Sequence, residues 1–169
     1  MCCVINRSHG FTVAAVVFAL DQLAKWIIAG PLDLQNVRQI VLLPIFNLTW
    51  TENHGISLGL FNAETDIGRW ILVALTGAIA VAVAIWITRE KQRGDQIALG
   101  MVLGGALGNI LDRTRFGYVV DFADLHFGDF RPFLVFNVGD AAISIGVVIL
   151  LLRAFLIKDE QPKENIEHA

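Results

Sequence analysis

Four apolar runs alternate with polar stretches along this chain, and their lengths and edges predict its architecture. The first, residues 11–29, is closed by Gly30-Pro31. It is about the length of a helix that crosses the hydrocarbon core, and it lacks a small-residue cleavage pattern, so it reads as a retained helix and not a signal peptide. The second, residues 69–88, carries Trp70 and Trp86 near its ends, about 24 Å apart on a helix axis and so suited to the two interfacial belts. The third, residues 96–112, holds Gly100, Gly104 and Gly108 at four-residue intervals. That small-residue stripe lets membrane helices pack backbone to backbone and predicts the central helix. The fourth, residues 133–157, has Asn137 and Asp140 in its first two turns.

The segments between the runs differ in kind. Residues 30–68 contain short β-like stretches. From Ile45 to Thr51 the residues alternate, with Phe46, Leu48 and Trp50 on one face and Asn47, Thr49 and Thr51 on the other, the pattern of a half-buried strand on the membrane surface. A loop reaching Pro132 is expected to carry Asp121, Asp124, His126 and Asp129, and a charged tail, 158–169, is expected to be disordered. Arg89, Lys91 and Arg93 crowd the short connection between runs two and three. This places that connection, and with it both termini, in the cytoplasm. The expected fold is an all-α integral membrane protein: one membrane domain, 1–169, of four transmembrane helices with a small extracytoplasmic β-containing segment after the first.

Composition agrees: 55% hydrophobic residues, 17% charged and a mean hydropathy of +0.60 over 169 residues describe a membrane protein. A net charge of -3 offers no basic footprint for nucleic acid. Cys2 and Cys3 adjoin the initiator methionine; they read as unpaired or incidental thiols, and acylation has no supporting motif.

Against this background the ionisable residues in apolar frames carry the chemistry. A charge near hydrocarbon depth costs about 2.5 kcal/mol or more and marks a site by default. Asp112, Asp121 and Asp140 are either interfacial residues reaching for water or members of such a site. Asp21 and Lys25, at i and i+4 on one helix face, form an ion pair that either anchors the helix end beside Trp26 or belongs to the site. Asn109, Asp112 and Arg113 end the third run at i, i+3 and i+4. Asn53-His54-Gly55 is a turn in which glycine allows close approach of a ligand. The alternation of spans brings Asp21, Lys25, Asn53, Asn109, Arg113, Asp121, Asn137 and Asp140 to the side opposite Arg89–Arg93.

Two carboxylates in one site do not both ionise easily, so one keeps a proton and the other serves as a base toward water. Ser57 and Ser144 have no evident histidine partner. A metal hydrolase would recruit His54 and His126 to Asp121 and Asp140, but no HExxH signature is present, and neither metal nor cofactor is expected. A small proton-coupled transporter would also use buried Asp and Lys; the absence of a repeat and a total of only four spans weigh against it.

At these residues the chain resembles bacterial lipoprotein signal peptidase, also called signal peptidase II, over nearly its full length. Asp21 and Lys25 match the DxxxK of the first helix, Asn53-His54-Gly55 the Asn-x-Gly segment, and Gly104 to Arg113 the GGAxGNxxDR motif. Val119-Val120-Asp121-Phe122 and Phe136-Asn137-Val138-Gly139-Asp140 match the two aspartate motifs. The resemblance implies an aspartic endopeptidase of the bacterial inner membrane that removes the signal peptide of a prolipoprotein before its diacylglyceryl-modified cysteine, with the site near the extracytoplasmic face. Asp121 and Asp140 would be the catalytic pair. Asn53, Gly55, Gly105, Asn109, Arg113 and Asn137 would position peptide and carboxylates, and Asp21 and Lys25 would support them. It also implies contact with membrane lipid, a small surface sheet and lid, and inhibition by globomycin-type cyclic peptides. The chain departs from the family pattern at His54, in the residues after Gly55 and at Gly139, which bears on the lid and inhibitor contacts.

Overall fold

The computed structural model describes residues 8–55, 66–128 and 130–156. Cys2, Cys3, Ser57, Asp129 and the tail 158–169 lie outside the described residues. Four long helices, α1 (Ser8–Ala29), α3 (Asp66–Arg89), α4 (Arg93–Arg115) and α5 (Val138–Leu156), are joined by a short helix α2 (Leu34–Val37) and three strands, β1 (Gln39–Leu43), β2 (Phe46–Asn53) and β3 (Val119–Leu125).

Helix α4 packs against α1, α3 and α5, and its glycines set the spacing. A Cβ added at Gly100 would strike the carbonyl oxygen of Gly10, one at Gly104 the carbonyl of Ala14, and one at Gly108 the Asp21 carboxylate, so the stripe faces α1. Gly105 is turned toward α5, where a Cβ would meet the carbonyl of Gly139. The stripe thus makes α4 the central helix, as its spacing predicts.

Helices α1, α3 and α5 are long and apolar enough to cross a membrane, and α4 is not. The reason is its position: a helix walled by three others meets little lipid and can carry Gln96, Asn109 and Asp112 buried in its faces. The outer surface is apolar instead, with Val16, Leu20, Leu23, Ile79, Val81, Val148 and Leu151 exposed while Asp21, Lys25 and Asp112 are buried. Apolar outside and charged inside is the distribution that suits hydrocarbon as the solvent.

The strands form one antiparallel sheet in the order β1-β2-β3. β3 corrects the expected loop to Pro132: the sheet draws its third strand from beyond α4, so it is not confined to residues 30–68. Its outer edge is closed by Phe136, whose N–H donates to Ala123 O at 3.0 Å and whose carbonyl accepts from Phe122 and Ala123 N–H at 3.1 and 2.7 Å. That extended segment also delays the last helix, which begins at Val138 and leaves Asn137 just outside it. Under the sheet Trp50, Val120, Phe122 and Ala123 pack with Ile28 and Leu34, seating it on the end of α1. Of the predicted alternation in β2, Trp50 is buried with Phe46 and Leu48 packed beside it. Asn47, on the opposite face, is buried as well.

Candidate active site

Asp121 lies in the middle of β3, in a run buried on both faces. Its Oδ1 accepts from Asn137 Nδ2 at 2.6 Å and its Oδ2 from Asn53 Nδ2 at 2.9 Å. Asn53 ends β2 and is held by the following turn, where Gly55 N–H donates to its Oδ1 at 3.0 Å. Gly55 has φ 135, a conformation that L side chains resist, so the Asn-x-Gly spacing here aims an amide at Asp121.

Asp140 comes from the first turn of α5. Its N–H donates to Asn137 Oδ1 at 2.9 Å, and its Oδ2 accepts from Asn137 N–H at 3.3 Å. This is the reciprocal arrangement of a capping box, with Asn137 as the N-cap. Asp140 Oδ1 accepts from Asn109 Nδ2 at 2.8 Å, and Asn109 Oδ1 in turn accepts from Asn137 Nδ2 at 3.2 Å. The side chain of Asn137 therefore touches both halves: one carboxylate directly, the other through its own backbone cap and through Asn109.

The two acids sit in unlike surroundings. Burial pushes the Asp121 carboxyl up to about 7, the charge of Asp140 pushes the same way, and the amides of Asn53 and Asn137 and the Lys25 ammonium oppose them. Asp140 occupies a helix N-terminus, where the backbone dipoles favour negative charge.

Behind this pair Lys25 Nζ lies 2.8 Å from Asp21 Oδ2 and 2.8 Å from Asp112 Oδ2, and it donates to Asn109 Oδ1 at 3.1 Å. Asp21, Lys25, Asn53, Asn109, Asp121, Asn137 and Asp140, expected together from the order of spans, thus form one bonded network. Gly105 sits at the α4–α5 crossing and Gly55 in its turn. Arg113 is within Coulombic reach of Asp140, Asp121 and Asp112, and its buried Nε has no hydrogen-bond partner.

Two members have contacts that the sequence reading does not supply. Asp112 pairs with Lys25, and Gln22 donates to Asp21 Oδ2 at 3.2 Å and to Asp112 Oδ1 at 3.1 Å. The sequence leaves Asp112 as either an interfacial or a site residue, without a partner; nothing in it marks Gln22. Asp124, expected in a loop, is buried in β3 and bonded to Thr49 and Arg131. His54 faces Glu52 at 3.7 Å and the Tyr118 ring at 5.4 Å, and His126 is anchored through its backbone N–H to Ile45 O at 3.0 Å. A groove of about 330 Å³ lined by Phe133, Phe136, Ala141, Ser144 and Ile145 opens beside Asp140.

A carboxylate and amide cluster within a helical bundle of apolar exterior belongs to a membrane protein with a polar site. The fold agrees, matching a solved bacterial membrane enzyme with a TM-score of 0.74 at 27% identity, over 92% of this chain and 94% of that one. A second such structure gives 0.73 at 28% identity, over 89% and 93%. Residues 13–156 match the model of the signal peptidase (SPase) II family, and the chain belongs to that family. Among its relatives, the lipoprotein signal peptidase of Sphingopyxis alaskensis is 61% identical over 151 residues, 89% of this chain and 87% of the relative. That of Rhizorhabdus wittichii is 54% identical over 164 residues, 96% and 95% of the two chains. The transporter alternative finds no support in these relationships.

Proposed function

We propose that the chain is an aspartic endopeptidase of the bacterial inner membrane, cleaving prolipoproteins on the N-terminal side of the diacylglyceryl-modified cysteine, with Asp121 and Asp140 as the catalytic pair. Membership of the signal peptidase II family makes it a protease that processes lipoprotein precursors. The observation that carries the aspartic reading is the bonded series Asp121, Asn137, Asn109, Asp140: two acids from different elements, joined by amides and set in unlike environments.

Those environments divide the work. Asp140, at the helix N-terminus, takes a proton from a water as its oxygen attacks the scissile carbonyl. Asp121, protonated in its buried strand, gives its proton to the carbonyl oxygen. Collapse of the resulting diol returns a proton to Asp121, while Asp140 passes its own to the departing amine of the cysteine. Each acid ends as it began, and neither step requires a Lewis acid. Asn53, Gly55, Gly105, Asn109 and Asn137 position the pair, Asp21 and Lys25 support it, and Arg113, with its unpartnered Nε, offers a donor to the peptide. The exposed apolar faces contact lipid, and globomycin-type cyclic peptides compete for the same site.

In this reading α4 is a fourth span. Its 23 residues reach about 34 Å, enough for the hydrocarbon core. The cluster Arg89, Lys91 and Arg93 supports a cytoplasmic α3–α4 connection and cytoplasmic termini, with the carboxylates toward the extracytoplasmic face. The test is incubation of the purified protein, with a strong chelator present, with lipidated and unlipidated precursors. Release of a signal peptide from the lipidated precursor alone is expected; cleavage that chelation abolishes and zinc restores would defeat the carboxylate mechanism.

A further inference from the structure

Asp21, Lys25 and Asp112 are almost sealed from solvent, with exposures of 0%, 5% and 1%. Burying three charges among helices is costly, and a neutral packing would often be at least as stable. Their hydrogen bonds indicate what the arrangement does. Asp21 Oδ1 accepts from the backbone N–H of Gly139 at 2.9 Å, the residue immediately before Asp140. Asp112 Oδ2 accepts from the backbone N–H of Val120 at 3.2 Å, the residue immediately before Asp121. Lys25 joins the two acids at 2.8 Å each, and Gln22 joins them a second time at 3.2 and 3.1 Å. The remaining bond of Lys25, to Asn109 Oδ1 at 3.1 Å, orients that amide so that its Nδ2 meets Asp140.

We propose that Asp21, Lys25 and Asp112 form a brace that sets the separation of Asp121 and Asp140: each buried acid grips the backbone beside one catalytic aspartate, and Lys25 holds the two acids together. The inference rests on the reading of Asp121 and Asp140 as the catalytic pair, and it makes Asp112 a positioning residue. Strand β3 and helix α5 each supply one carboxyl, and their separation decides how strongly the charge of Asp140 holds the proton on Asp121. Carboxylates suit the task better than amides. Asp21 receives Gly139, Lys25 and Gln22, and Asp112 receives Val120, Lys25 and Gln22, each spread over two acceptor oxygens; an amide has only one. Gly108 leaves room for the assembly, since a Cβ there would strike the Asp21 carboxylate.

The brace is tested by the pH profile of precursor cleavage. Facing Asp121 are Asn53 from β2, Lys25 from α1, Arg113 from α4, Asn137 from the segment before α5 and Asp140 from α5. With both acids in place, the alkaline limb of kcat/KM reports loss of the proton that the pair retains, near pH 7. Asp112→Ala frees the Val120 amide and lets the pair spread. We expect kcat to fall on the order of 10²-fold with KM little changed. The alkaline limb should also move to lower pH, because Asp140 then repels the Asp121 carboxylate less. Asp112→Asn keeps an oxygen for Val120 and should restore most of kcat and the original limb. A uniform loss of activity at every pH with the limb unmoved, or an Asp112→Ala enzyme of unchanged activity, would overturn the brace. Where Asp112→Ala yields no folded protein, Asp21→Ala with Asp21→Asn reads the Gly139 arm by the same criteria. Asp121→Asn and Asp140→Asn are measured alongside: turnover retained by those enzymes would end the pair itself, a result distinct from failure of the brace.

Discussion

Replacing Asp121 with asparagine separates its chemistry from its cost to the fold. The folded carboxyl holds its proton up to about 7, whereas an unfolded aspartate titrates near about 3.9. A group raised in this way leaves stability intact below the unfolded value and removes it as pH climbs through the folded one. From 3.8 to about 7, at about 1.4 kcal/mol for each pH unit, the loss is on the order of 4 kcal/mol between about pH 4 and pH 7. Asparagine cannot ionise, so the variant lacks this slope. It has its own cost, however: one acceptor oxygen now faces the amide donors of Asn137 and Asn53, which stand 2.6 and 2.9 Å from the two oxygens of Asp121. A mismatched buried donor costs about 1–3 kcal/mol at any pH.

The expected signature is therefore a crossing. At about pH 4.5 Asp121→Asn is less stable than the parent; at about pH 8 it is as stable or more so, and its turnover is down by about 10²–10⁴-fold or more at both. Tryptophan fluorescence during thermal unfolding in detergent reads the first quantity, and release of signal peptide from a lipidated precursor reads the second. A variant that keeps turnover within about tenfold of the parent, or shows the parent's fall in stability between those pH values, refutes the assignment.

The double variant Asp121→Asn/Asp140→Asn should cost little more turnover than either single change, because two groups acting as one unit are lost together; a multiplicative loss would mean independent roles. Gly108→Ala places a methyl against the Asp21 carboxylate and should destabilise by about 1–3 kcal/mol, read as a lower unfolding temperature, whereas an unchanged temperature would deny the close α1–α4 contact. In a background lacking Cys2 and Cys3, a cysteine at exposed Gln35 should react with an impermeant reagent outside intact inner membrane, and one at exposed Lys91 should not. The opposite labelling would invert the topology.

Much of the architecture is legible along the chain because hydrocarbon imposes strong rules. A helix that meets lipid must be apolar over the face it exposes, so α1, α3 and α5 announce themselves, and a helix that meets other helices closely needs small residues at a fixed period, so Gly100, Gly104 and Gly108 mark α4. Buried charge is costly enough that Asp21, Lys25 and Asp121 stand out wherever they occur.

Other features have no local signature. Residues Val119–Leu125 are buried on both faces, so they show no clean alternation, and they become a strand only because β2, folded far earlier in the chain, lies alongside to pair with them. Asn137 reads as an interior helix residue until Phe136 is tied to Ala123 across the sheet, which holds the helix off until Val138 and turns Asn137 into the cap that holds Asp140. Asp112 looks like one more acid at a helix end; its pairing with Lys25 and its hold on Val120 arise from the crossing of α1 and α4 beside β3. Periodicity and transfer cost act through neighbours in sequence and through the solvent, so they are written locally. Hydrogen-bond partnership depends on which atoms meet at about 3 Å, and residues as far apart as Asp21 and Gly139 meet only once the chain has folded.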